Sequence, residues 1–227
     1  DIFVLGDFDS LEIKEIFKEY FKITTFKKEN KNILVPELNP RKRLVRYREY
    51  DNVNQAQLIA LCNLNNLNDY ERKYVIKLYN ELLGGSSNSI LFKTVREKNS
   101  YCYYINSSVK AYDNILIIYS GVEDKNIDKC IKLIKKSLKD IRDGKIKDED
   151  IESSKNTIIS SIKSVSDNPI GIINTYFSKV LVGTDNEEER IEKFSKITKE
   201  DIIKVSKKVS LHTILTLEKK EEENEEN

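Results

Sequence analysis

Histidine is almost missing from this sequence: His212 is the only one in 227 residues. A catalytic zinc needs about three protein ligands, commonly imidazole and carboxylate, with an open position for water. One histidine, with no thiol cluster to replace the others, rules that out for this chain, and it rules out a convincing Ser–His or Cys–His pair as well. Between Leu211 and Thr213, at the start of a closing strand, His212 reads as a surface or packing residue. Cysteine is scarce too. Cys62, Cys102 and Cys130 are odd in number, far apart and set in apolar contexts, which excludes a disulfide framework. Three reduced, mostly buried thiols and a cytoplasmic protein are the expectation. No apolar run approaches the ~20 residues that span a bilayer, so no membrane partner is expected. Neither sign of charge dominates: 39 basic residues face 38 acidic ones, net +1, and nothing points to nucleic acid. Gly6-Asp7 at the end of a strand is no phosphate cradle, since one glycine does not make one and the aspartate would repel the anion.

What the chain does have is charge and helical periodicity. About a third of it is charged and 39% is hydrophobic, enough for one large globular domain or two small ones. Asp1 runs straight into Ile2-Phe3-Val4-Leu5, which reads as a strand already under way from an internal boundary. Asp9-Ser10-Leu11-Glu12 then caps a helix through Phe21. Lys22 to Arg43, with Pro36, Pro40 and the basic cluster Arg41-Lys42-Arg43, is a linker. Strands are expected over Leu44–Tyr50 and Asn54–Cys62, then a helix capped by Asn68 with Tyr74, Val75, Leu78, Leu82 and Leu83 on its buried face.

The organising stretch is Leu82-Leu83-Gly84-Gly85-Ser86-Ser87-Asn88-Ser89, followed by Ile90 through Tyr103. Two glycines able to take positive φ end one helix, small polar residues cap a second that carries Arg96, and a strand with tyrosines follows. Tyr101–Val109 and Ile115–Gly121 read as an antiparallel pair turning at Asp113-Asn114. A long helix follows, with Ile127, Cys130, Ile131, Ile134, Leu138 and Ile141 in helical spacing, and Gly144 stops it. Asp148 opens another through about Val165, Asn168-Pro169 one to Gly183, and Thr198-Lys199-Glu200-Asp201 a last one before a closing strand, Thr213–Leu217. Glu218–Asn227 is a charged tail, expected to be disordered. Hairpin returns in place of regular βαβ steps predict an α+β fold, helices covering one face of a largely antiparallel sheet. Ile115 to Ile141 loosely repeats the strand, glycine, acidic turn and helix of Ile2 to Phe21, which by itself proves no duplication.

With these pieces in this order, the sequence resembles the insulinase-like, or pitrilysin-type, zinc metallopeptidases, which include the mitochondrial processing peptidases. The likeness rests on Leu83-Gly84-Gly85, Leu91-Phe92, Val95-Arg96-Glu97-Lys98 with Tyr103 seven residues after Arg96, Ser120-Gly121 before a long helix, Gly144 ahead of Asp148 to Lys155, and Ile197 to Ile202. It covers most of residues 44–217. It departs at Asn99-Ser100-Tyr101-Cys102, where relatives often have Arg/Gln-Gly-Leu-Ala.

The resemblance implies two related α+β halves closing around an unfolded peptide. Residues 1–26 would then be the last strand and helix of a preceding homologous half, 27–43 the linker, 44–217 the C-terminal, non-zinc half and 218–227 the tail. Zinc is expected only if the upstream half carries His-x-x-Glu-His; this chain is expected to hold no cofactor and to be inactive alone. The implied substrate-binding residues are Arg96 and Tyr103, whose guanidinium and phenol are equipped to hold a peptide carbonyl or its oxyanion. The residues themselves also permit Arg96 to pair with a nearby acid and Tyr103 to pack beside Tyr101 and Tyr104. Implied partners are the upstream half, a zinc-bearing homologous subunit and an unfolded peptide. An inactive scaffold or partner subunit of a heterodimeric complex is the alternative; a different ligand on the helix-poor face is another.

Overall fold

The computed structural model describes residues 2–21 and 43–220. The expected linker, with Arg41 and Lys42, lies outside them apart from Arg43, as do 221–227 of the tail. The described residues fall into two units, 2–21 with 163–186 and 43–162 with 187–220. Residues 163–186, read from sequence as part of 44–217, thus cluster with the N-terminal segment.

In the smaller unit α1 (Ser10–Phe21) starts where Asp9 Oδ1 accepts the Leu11 amide at 2.6 Å. α5 (Pro169–Val182) starts where Asn168 Oδ1 accepts the Ile170 and Gly171 amides, and ends at Gly183 with φ 63°. Phe3 meets Phe177 edge to face at 5.7 Å. Neither helix buries a residue. Residues 2–5, expected as a strand, form none, because a strand exists only where its amides find a ladder partner and among the described residues they pair with no strand.

The larger unit is built on one sheet. Its strands, β1 (Val45–Asp51), β2 (Ala56–Leu64), β3 (Cys102–Lys110), β4 (Ile115–Val122) and β5 (Val209–Lys219), stand in the order β1-β5-β2-β4-β3. Only β1 and β5 run parallel, so the α+β, largely antiparallel architecture is as the pattern implied. β5 runs past Leu217 through Glu218 and Lys219, residues expected to open the tail, because they pair with Tyr50 and Asp51.

Alternation divides the sheet into two faces. Ala56, Leu58, Ala60 and Cys62 of β2, with Leu116, Ile118 and Val122 of β4, are buried. Over them lie α3 (Ile127–Arg142), α7 (Lys199–Ser206) and a helical run of π turns at Glu71–Val75 and Glu81–Gly85 around α2 (Ile76–Asn80). These bury Tyr74, Leu78, Leu82, Leu83, Ile131 and Ile134, from the stripes that helical spacing marked, together with Ile202. α4 (Asp148–Lys163) adds Ile151 and Ile162. The sequence reading missed α6 (Glu187–Ser195), whose three leading glutamates favour a helix N-terminus and whose Phe194 packs on Tyr74 at 5.3 Å.

The opposite face carries three complete rows of side chains. They are Glu49, Leu217, Gln57, Gly121 and Tyr104; then Tyr47, Leu215, Ile59, Tyr119 and Asn106; then Val45, Thr213, Leu61, Ile117 and Ser108. Nearly all are partly exposed, and Tyr47 and Tyr119 are 45% and 39% exposed.

The paired glycines do a different task from the one expected. Gly84 has φ −161° and Gly85 is not left-handed either. A side chain at Gly84 would come within 2.9 Å of the Ser107 amide, so glycine is needed there for close approach of the helical run to β3.

Candidate functional site

Arg96 and Tyr103 flank one turn between the helical layer and the sheet. Arg96 lies on a π turn, Phe92–Glu97, which begins after Ser89 Oγ accepts the Phe92 amide at 3.4 Å. Val95 is fully buried and anchors the turn, which leaves its neighbour Arg96 exposed. The guanidinium carbon stacks 4.8 Å from the Phe92 ring centre, and among the described residues it meets no carboxylate.

The chain then reverses. The Ser100 amide donates to Arg96 O at 3.0 Å and the Tyr101 amide to Val95 O at 3.1 Å. Ser100 has φ +52°, the left-handed conformation that glycine adopts without strain. This is the position where the resembling family often has glycine, the residue that the conformation favours.

Tyr103 is the extra residue of a β-bulge: Cys102 pairs with Val122 and Tyr104 with Gly121, leaving Tyr103 unmatched. A bulge re-aims one side chain while its neighbours stay packed. Cys102 and Ile105 are buried, whereas Tyr103 is 56% exposed, its hydroxyl 3.5 Å from Glu123 Oε1. That carboxylate also pairs with Lys125 at 2.9 Å. Arg96 lies close enough to Cys102 to oppose the rise that burial imposes on its thiol. The two residues singled out in sequence therefore stand at either end of one reverse turn, both with donor groups toward solvent. Such a pair can hold a carbonyl.

Beside them, Tyr104 lies across Gly121, where a built side chain would come within 2.5 Å of the ring, and its hydroxyl donates to Gln57 Oε1. Sequence order shows no sign of this cluster, because Gln57, Tyr104 and Gly121 stand on three different strands and only the strand register joins them.

The thiols have no chemistry to offer here. All three are buried, and burial pushes Cys62 and Cys130 up to about 12. His212 is the extra residue of a second bulge, where Leu61 pairs with Thr213 and Cys62 with Leu211, and its Nδ1 is 2.7 Å from Thr213 Oγ1. Among the described residues no three His, Cys, Asp or Glu side chains gather as a metal site, so these residues do not fit the zinc that the resemblance implies elsewhere. No described helix is long and apolar enough to cross a membrane.

A family model, the peptidase M16 inactive domain, matches residues 1–158. A curated relative from Bacillus subtilis (strain 168), described as "Probable inactive metalloprotease YmfF", is 27% identical over 218 residues, 94% of this chain and 50% of its own length. Among solved structures, a conserved protein from Enterococcus faecalis V583 superposes with a TM-score of 0.86 at 25% identity, covering 96% of this chain and 52% of its own. A protease from Helicobacter pylori gives 0.70 at 14% identity over 94% and 54%. The chain thus spans about half the length of each.

Proposed function

The chain belongs to the peptidase M16 inactive domain family, and we propose that it is the non-zinc half of a metallopeptidase homologue, one wall of a chamber that holds an unfolded peptide. In this reading Arg96 and Tyr103 grip the peptide backbone, the guanidinium and the phenol each donating to a carbonyl oxygen. The observation that carries it is the build of the turn at 96–103. Both donor side chains are exposed, yet each sits on backbone fixed by a buried neighbour, Val95 or Cys102. Donors held this way lose little freedom on binding. Among the described residues no side chains gather as a metal set, which accords with chemistry supplied by the other half of the intact polypeptide.

A second reading is favoured by one observation. The Bacillus relative is described as a probable inactive metalloprotease, so the intact protein here can be an inactive scaffold or partner subunit. Zinc content of the intact polypeptide separates the two, stoichiometric zinc supporting the first and none the second.

The peptide-holding role is tested by fluorescence anisotropy with a fluorescein-labelled unfolded peptide and the intact polypeptide. Arg96→Ala and Tyr103→Phe should each weaken binding, the former by about tenfold or more. Unchanged affinity in both, with the fold intact by circular dichroism, would sink the proposal.

A further inference from the structure

The middle of the sheet face away from the helices is almost free of charge, and Asp51, Lys219 and Lys110 lie on the same side only beyond its three complete rows. About a third of the chain is charged, so fifteen unselected positions would hold about five charges, and the three complete rows hold one, Glu49 at the β1 margin. Its middle row sets Leu215 and Ile59 between Tyr47 and Tyr119 while leaving both tyrosines well exposed. A sheet face that meets only water alternates toward polar and charged residues.

The two edges differ in the same sense. β1 carries Arg46, Arg48, Glu49 and Asp51, the charges that natural sheets use to block strand addition. On β3 the one charge is Lys110 at its end, and residues 102–109 hold neither a charge nor a proline. Three same-face residues on each of five strands span roughly 24 by 20 Å, or about 500 Å². That is well under the about 800 Å² per partner that a stable dimer buries. It matches an extended peptide of about six residues.

We infer that this face, toward its β3 side, binds an extended peptide segment whose inward side chains are aromatic or aliphatic and uncharged, and that it discriminates against segments carrying charge there. A charge pressed onto Ile59, Leu215 and Ile117 would lose hydration among uncharged neighbours, the charges of this face standing at its margins. The inference rests on the chamber reading and names the substrate class for it.

The experiment uses the intact polypeptide and three fluorescein-labelled peptides of about ten residues, alternating Ser/Thr with Val/Tyr, with Glu in the Val/Tyr positions, or with Lys there. The neutral peptide should bind at least about tenfold tighter than either charged one. Tyr119→Lys, at an exposed position, should close the gap to the Glu peptide and widen that to the Lys peptide; Thr213→Lys repeats the test should the first variant melt early. Equal affinity for all three peptides overturns the inference, as does discrimination unchanged in both lysine variants. If Tyr119→Lys turns a dimer into a monomer in sedimentation while leaving peptide discrimination untouched, a second copy is the occupant and the inference falls. Under the chamber reading Arg96→Ala weakens all three peptides alike, so binding that needs Arg96 but ignores charge sinks only this inference. No binding of any peptide sinks both.

Discussion

The two faces of the five-stranded sheet are made by the same strands and have opposite fates. On β4, Ile118 is fully buried under the helices while the next residue, Tyr119, is 39% exposed on the other side. The covered face is tied down by packing and by polar groups that each need a partner. The open face keeps apolar side chains that nothing in the larger unit's helical layer covers, and these are the ones to which peptide binding is assigned in the inference above. Stability and the proposed recognition are thus separated by the thickness of one strand.

The widest test of that separation is a pair of neighbours. Ile118→Ala should lower the unfolding free energy by about 3–4 kcal/mol in urea titrations, and Tyr119→Ala by less than about 1 kcal/mol. Similar losses at the two positions would mean that both faces are structural.

The helical layer supplies a smaller effect with a pH signature. Glu71 accepts the Asn68 amide at 2.9 Å and pairs with Lys208 at 2.6 Å, its side chain 4% exposed. Burial alone would raise its carboxyl, but the hydrogen bonds from Lys208 and Asn68 and the charges of Lys208 and Lys204 outweigh this and hold it below the usual carboxylate range. A depressed folded pKa gives stability that is complete above the unfolded value and is lost as pH falls through the folded one. Glu71→Gln should therefore cost about 1–2 kcal/mol at neutral pH, the gap from the native protein closing below about pH 4. A gap that does not change with pH would mean that the ion pair contributes nothing to the covered layer.

The smallest expected effect is a gain, at the turn joining the covered layer to the open edge. Ser100→Gly removes a side chain from a φ of +52° and should stabilise by about 0.5–1 kcal/mol, read as a melting-point rise of about 2–3 °C. A fall would mean that the serine is held there by contacts worth more than its strain.

Much of this was legible in residue order. The stripe Ile127, Cys130, Ile131, Ile134, Leu138 and Ile141 marked its helix, and Asn168-Pro169 and Thr198 through Asp201 marked theirs, because a helix is specified by neighbours within four residues. Arg96 and Tyr103 were singled out through a family likeness carried by local motifs. The open face was not legible. Ile59, Tyr119, Leu215 and Tyr47 are apolar or aromatic residues on strands, and alternation alone does not say which set the helices cover.

The sequence by itself therefore determined most of the elements and several of their caps, since these depend on residue type and short spacing. Only the tertiary structure decided that Gly84 serves close approach and not a left-handed turn, that Tyr103 and His212 sit on bulges, and which side of each strand is left open. Those depend on strand register, which pairs residues as much as about 170 positions apart and exists only once the sheet has formed.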